Sequence, residues 1–148
     1  NYSECVRPIL EIIGAGRSKV ASGLNMVLIK DKMLFFADTT INIDPTAEQL
    51  SAIAVHASKV AKYFGLAPKI AMLSYTNFVG KNETPKKMKE AARLVKQRHP
   101  ELQVDGEMQA DTAVNPDIVE RIFPFCEVKG GANILVFPTL DAGNIAYK

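Results

Sequence analysis

Two stretches of closely spaced apolar residues near the start of the chain, Val20 to Ile29 and Met33 to Ala37, are separated by the polar triplet Lys30-Asp31-Lys32. They predict a hairpin or two adjacent strands, preceded by an opening stretch around Arg7-Pro8-Ile9-Leu10-Glu11-Ile12-Ile13. The pattern then changes period. Leu50, Ile53, Ala54, Ala57, Val60, Ala61 and Phe64 fall on one face of a helix, introduced by Asp44-Pro45-Thr46-Ala47-Glu48-Gln49. That introduction supplies a capping residue, Asp44, a proline suited to the first turn, and a Thr-x-x-Gln capping box. Gly65 is the expected stop, with Pro68 beyond it.

Lys69-Ile70-Ala71-Met72-Leu73-Ser74 fits a short strand buried on both faces. Thr84-Pro85 opens a second helix that turns Met88, Ala91, Ala92 and Val95 inward and Lys86, Lys87, Lys89, Arg93 and Lys96 outward, ending near His99-Pro100. A strand at Leu102 to Val104 follows, then a third helix opened by Asn115-Pro116. The strongest strand signal, Asn133 to Phe137, is closed by Pro138 and leads into a last helix. From residue 69 strands alternate with helices, which predicts an α/β fold: a three-layer αβα sandwich around a mostly parallel sheet. In such sheets ligands meet the loops at the carboxyl ends of the strands.

The 148 residues, 47% apolar and 23% charged, suit one soluble domain with its own core. Apolar runs are too short for a membrane helix. A net charge of +2 is too balanced to indicate a nucleic-acid or membrane partner. Cys5 and Cys126 form neither a disulfide framework nor a metal pair, so a reducing cytoplasm fits best. The chain starts without Met and stops within an apparent helix at Lys148, which suggests a piece of a longer protein.

Three constellations carry candidate chemistry. Ser74-Tyr75-Thr76-Asn77 places hydroxyls and an amide at a strand's carboxyl end, suited to a polar ligand and equally to turn formation. Asp105-Gly106-Glu107-Met108-Gln109-Ala110-Asp111-Thr112, read as lying just past a strand, packs three carboxylates, an amide and a hydroxyl together. Hydrogen bonding to loop amides is the plainest use of these; a hard cation or a polar ligand are alternatives. Seven basic residues lie between 81 and 98, but no aromatic residue interleaves them, so they are expected to be a solvated helix face. Gly14-Ala15-Gly16 lacks the third glycine of a dinucleotide fingerprint, and Gly130-Gly131 suits a tight turn. His56 and His99 have no partner at triad or metal spacing.

In order along nearly the whole chain, Phe36-Ala37-Asp38-Thr39, Asn42 to Leu50, Met72-Leu73-Ser74, Val104 to Asp111, and Ala132 to Pro138 with Gly143 to Lys148 resemble the phosphate acetyl/butyryl transferase family. Two details, Asp-Gly-Glu-Met-Gln-Ala-Asp at 105–111 and Ser-Tyr-Thr-Asn-Phe at 74–78, are most similar to the C-terminal phosphotransacetylase-like region of bacterial NADP-dependent malic enzymes, although Phe78-Val79-Gly80-Lys81 departs from the Phe-Gly-Ser usual there. The resemblance implies the second domain of the phosphotransacetylase fold, with the acyl-phosphate and CoA site in a cleft between two domains and a Ser-Arg motif downstream of Lys148. It also implies that Arg7 lies near CoA phosphates, with a structural ion pair as the alternative. The cofactor-binding set expected from motif and resemblance together is Arg7, Ser74, Thr76, Asn77, Asp105, Glu107, Gln109, Asp111 and Asn144, with no catalytic or metal-binding residue within the chain.

The leading expectation is a regulatory and assembly region of a malic enzyme, a homo-oligomer that senses acetyl-CoA. The parent would use NADP and Mg or Mn to decarboxylate malate. The alternatives are a phosphate acetyltransferase with CoA as substrate and a purely structural oligomerisation module.

Overall fold

The computed structural model describes residues 7–15 as backbone and residues 20–148 in full. Cys5 and Gly16 lie outside the described residues. One six-stranded sheet organises the chain: β1 (Arg7–Ala15), β2 (Ala21–Ile29), β3 (Lys32–Ala37), β4 (Lys69–Leu73), β5 (Gln103–Met108) and β6 (Ile134–Val136), in the spatial order β1-β2-β3-β6-β4-β5. β1, β2 and β3 form an antiparallel ribbon, as the Lys30-Asp31-Lys32 interruption predicts; β3, β6, β4 and β5 run parallel.

Period-two alternation explains how the sheet is covered twice. Phe35, Ile70, Met72, Ile134 and Val136 enter one apolar core, whereas Phe36, Ala71, Leu73, Leu135 and Phe137 enter another. The first core is closed by α1 (Ala47–Tyr63) through Leu50, Ile53, Ala54, Ala57 and Ala61, and by α2 (Glu83–Arg98) through Met88, Ala91, Ala92 and Val95. The second is closed by α3 (Ala110–Val114) and α4 (Pro116–Ile122), with α5 (Leu140–Tyr147) beside them. Crossovers through α1 and α2 travel outward along the sheet, and the return from β5 to β6 passes through α3 and α4. A reversal of direction places helices on the opposite face when each crossover is right-handed. The three-layer α/β sandwich expected from the alternation is the observed architecture.

Local signals acted largely as read. Thr46 caps α1 with the reciprocal Gln49 contact in place; Pro45 stands before the cap rather than in the first turn, and Asp44 reaches Lys87 instead of capping. Gly65, at φ +77°, ends α1 with Gly65 N–H donating to Lys62 and Leu66 N–H to Ala61, the paired bonds of a Schellman closure.

The largest local departure is at β5. The sequence places residues 105–108 in a loop, yet the strand continues through Asp105, Gly106 and Glu107 to Met108. Both carboxylates are buried there, because distant groups satisfy them. Gly106 is needed at this point. Its φ is +143°, and a Cβ would stand 2.5 Å from the Met72 carbonyl oxygen.

Candidate functional site

The parallel strands β3, β6, β4 and β5 deliver four chain segments to a common edge: 38–46 after β3, 137–139 after β6, 74–82 after β4 and the turn at Gln109 after β5. Buried carboxylates and a lysine hold these segments in place.

Buried Asp38 organises the first segment. Its Oδ1 accepts from the backbone N–H groups of Gly23, Thr40 and Ile41, and its Oδ2 from the backbone and side-chain amides of Asn42. Asn144 on α5 donates to the Thr39 carbonyl, and Gly143 lets α5 approach closely, since a Cβ there would lie 2.4 Å from the Asp38 carbonyl oxygen. Asn144 therefore reaches the carboxyl edge, at the β3 end.

Glu107 organises the segment after β4. It is fully buried; Oε1 accepts from the Gly80 N–H at 2.7 Å and from the Thr76 hydroxyl at 3.2 Å, while its backbone carbonyl accepts from Phe78 N–H. Glu107 Oε2 and the Ser74 hydroxyl are buried without a hydrogen-bonding partner among the described residues. Asn77 and Gln109 bind each other through side chain and backbone, and Gln109 also donates to the Tyr75 carbonyl. Thus Ser74, Thr76, Asn77, Glu107 and Gln109 come together, as the sequence suggests, but most of their polar capacity shapes the loop.

The remaining expected residues do not join that group. Asp105 turns toward α2, where its Oδ1 takes the Lys96 ammonium at 3.1 Å and its Oδ2 the Glu127 N–H. Lys96 also reaches Glu127 at 3.0 Å. Burial works against the charged ammonium, but the hydrogen bonds and attraction of Glu127 and Asp105 outweigh it and hold Lys96 above the ordinary lysine range. Asp111 accepts from the N–H of Thr112. The backbone of Arg7 pairs with Leu28, which in turn pairs with Met33 at the beginning of β3. That register puts Arg7 at the amino-end edge of the parallel strands, across the sheet from the loops of the other residues; its side chain is outside the described residues. The expected nine residues are therefore dispersed: Ser74, Thr76, Asn77, Glu107 and Gln109 form one group, Asn144 lies at the β3 end, Asp105 turns to α2, Asp111 sits on α3, and the Arg7 backbone lies at the amino-end edge.

Two participants fall outside the expected set, Asp38 and Lys87. Lys87, assigned to a solvated helix face, is half-buried and bridges two of the edge segments, at 2.6 Å from Asp44 Oδ1 and 3.0 Å from the Pro138 carbonyl. The available signal was its place in the first turns of α2, the end of the helix that meets the strand tips. Among the described residues no three His, Cys, Asp or Glu side chains gather in a way that could hold a metal ion. No described helix is long and apolar enough to cross a membrane. Cys126 is buried, and burial pushes its thiol above the ordinary range.

A mixed sheet with polar loops gathered at the carboxyl ends of its parallel strands defines an α/β protein. The chain belongs to the phosphate acetyl/butaryl transferase family, whose model matches residues 1–148. It is 40% identical over 148 residues to the phosphate acetyltransferase of Bacillus subtilis, covering 99% of this chain and 46% of that protein. Against the Escherichia coli phosphate acetyltransferase the identity is 39% over 145 residues, 97% of this chain and 20% of that protein. The EutD phosphotransacetylase from Staphylococcus aureus superposes with a TM-score of 0.81 at 37% identity, covering 90% of this chain and 41% of that one. The chain thus spans less than half the length of these relatives.

These likenesses overturn the malic-enzyme reading. Proteins matching almost the whole chain at about 40% identity are phosphate acetyltransferases. The expectation of NADP and a divalent metal rested on that reading alone and is withdrawn with it.

Proposed function

We propose that this chain supplies one lobe of a phosphate acetyltransferase, an acyltransferase that moves an acetyl group between acetyl phosphate and CoA. The observation that carries the reading is the convergence, in a chain of this family, of the segments after β3, β6, β4 and β5 on one edge. In this reading the chain is a single domain of a larger transferase, and the Asn144, Thr39 and Lys87 neighbourhood faces the lobe that completes the cleft. CoA and acetyl-CoA are the partners, and the assembled protein is a homo-oligomer.

The reaction requires the CoA thiolate to form a carbon–sulfur bond at the acetyl carbonyl while the carbon–oxygen bond to phosphate breaks and phosphate leaves. Negative charge develops on the carbonyl oxygen and then on the leaving phosphate. Neutral donors and backbone N–H groups fixed in place before reaction stabilise such charge with little reorganisation. This chain's part is to fix the edge: Asp38 and Glu107 spend their carboxylates on loop amides, and Lys87 brings a cation to the Asp44 and Pro138 segment.

The test is acetyl-CoA formation from acetyl phosphate and CoA by the protein at full length, followed by thioester absorbance and release of inorganic phosphate. Stoichiometric formation of both products supports the reading. A folded protein that forms neither product refutes it.

A further inference from the structure

The basic face of α2 gains from the fold what its own sequence lacks. Lys86, Lys89, Arg93 and Lys96 recur at steps of three, four and three residues and so share one side of the helix. That side lines an open groove of about 580 Å³ beside the free edge of β5, and two rings from other segments, Phe78 and Phe125, line it as well. Phe78, from the loop after β4, and Phe125, beyond α4, meet edge to face with ring centroids 4.9 Å apart, and Phe123 stands 5.3 Å from Phe78. Phe125 is 64% exposed although it belongs to a packed cluster. Asp105 and Gly106 of β5 complete the lining together with Glu90 and Ala92 of α2.

Charge within the groove is not balanced. Arg93 is engaged by Glu90, and Lys96 by Asp105 and Glu127. Lys86 and Lys89 are exposed and have no ion-pair partner among the described residues. Three residues apart on a helix, they stand about 4.5 Å from each other along the axis, so both ammoniums can serve one diphosphate. The volume suits a single small molecule rather than a polymer. Two unpaired cations and an exposed, clamped ring lining one groove is the chemistry that holds phosphates and a flat base together.

We infer that this groove is a nucleoside-diphosphate site, with Lys86 and Lys89 taking the phosphates and the Phe125 ring stacking on the base. The inference goes beyond the acetyl-transfer reading and does not rest on it. The same chemistry is carried by a free nucleotide and by the nucleotide end of CoA. Because Phe78 shares the loop that holds Ser74 and Thr76, an occupant would also brace the carboxyl edge of β4.

Calorimetric titration of the protein at full length with ADP, adenosine, pyrophosphate and CoA tests this, using the wild type, a Lys86→Gln/Lys89→Gln double variant and Phe125→Ala. ADP should bind at least tenfold more tightly than adenosine or pyrophosphate. The double variant should weaken ADP at least tenfold. Phe125→Ala should weaken ADP at least fivefold and leave pyrophosphate unchanged, since stacking acts on the base alone. In the wild type, ADP should shift amide resonances at 86–96 and 123–127, a readout that needs no variant to fold. Competition between CoA and ADP for the groove identifies the nucleotide end of CoA as the occupant; ADP binding without competition identifies a free nucleotide. Both support the assignment. Absence of ADP binding, or ADP affinity equal in all three proteins, overturns it. Because binding is read directly, this result stands apart from whether acetyl transfer is observed.

Discussion

Removing the Glu107 carboxylate isolates the contact on which the loop after β4 depends. Glu107→Ala deletes the acceptor for Gly80 N–H at 2.7 Å and for the Thr76 hydroxyl at 3.2 Å, and leaves a void at a fully buried position. A hydrogen bond to a charged group contributes about 1.5–3 kcal/mol, with the longer Thr76 bond at the low end, and the stranded Gly80 N–H adds a desolvation penalty. Against this, the variant removes the buried Oε2, which has no partner among the described residues and costs stability in the wild type. The balance is a loss of about 3 kcal/mol. For a domain of this size that lowers the melting temperature by roughly 6–12 °C. Glu107→Gln keeps an acceptor for Gly80 and should lose about half as much. The assay is denaturant unfolding of both variants, with amide hydrogen exchange at Phe78 and Gly80 to locate the change. A Glu107→Ala protein within about 0.5 kcal/mol of wild type, a range typical of uninvolved surface sites, would refute the assignment of Glu107 as the anchor of this loop.

Three further outcomes are expected. Thr46→Ala removes the α1 cap and should cost about 1 kcal/mol, read as a melting shift of about 2–4 °C, with no change in the loop after β4. Gly106→Ala should yield protein that is unfolded or recovered only in inclusion bodies, because the added Cβ meets the Met72 carbonyl oxygen at 2.5 Å on a backbone at φ +143°; a soluble variant melting like wild type contradicts this. His56, which shares a 2.9 Å hydrogen bond with Ser22, is held below the ordinary histidine range by burial and then by Lys59. As pH falls through the unfolded-state value of about 6.5, the unfolded chain takes up the proton first, so stability present above that pH declines below it. Melting temperatures measured across that range should fall less in His56→Gln than in wild type, and parallel slopes would exclude His56 as a source of the acid sensitivity.

Elements whose stabilisation is local could be read directly. The Thr46–Gln49 box, the Gly65 stop, the Asn115–Pro116 start and the inward set on α2 require only neighbours within one or two turns. The double alternation at 70–73 and 134–136 likewise foretells a sheet covered on both faces. What escaped depends on contacts across the chain. Asp105 and Glu107 look like loop residues until Lys96, Glu127, Thr76 and Gly80 arrive to satisfy them, 9 and 22 residues away in one case and 31 and 27 in the other. Lys87 reads as solvent-facing because its partners, Asp44 and Pro138, follow β3 and β6 rather than α2. The aromatic lining beside the basic helix was hidden for the same reason: Phe125 follows the end of α2 by 27 residues, and its packing on Phe78 is a tertiary contact. For Arg7 the resemblance points to phosphates, and the structure adds only its strand register, which sets its backbone at the amino-end edge.

The central claim is that substrate engages the carboxyl ends of the parallel strands. Hydrogen exchange of the protein at full length, with and without CoA, tests it segment by segment. The account predicts that CoA slows exchange in the segments 38–46, 74–82 and 137–144, while the amino-end turns at 30–32 and 99–102 exchange unchanged. Protection confined to those amino-end turns, with the carboxyl-end loops unaffected, would contradict it.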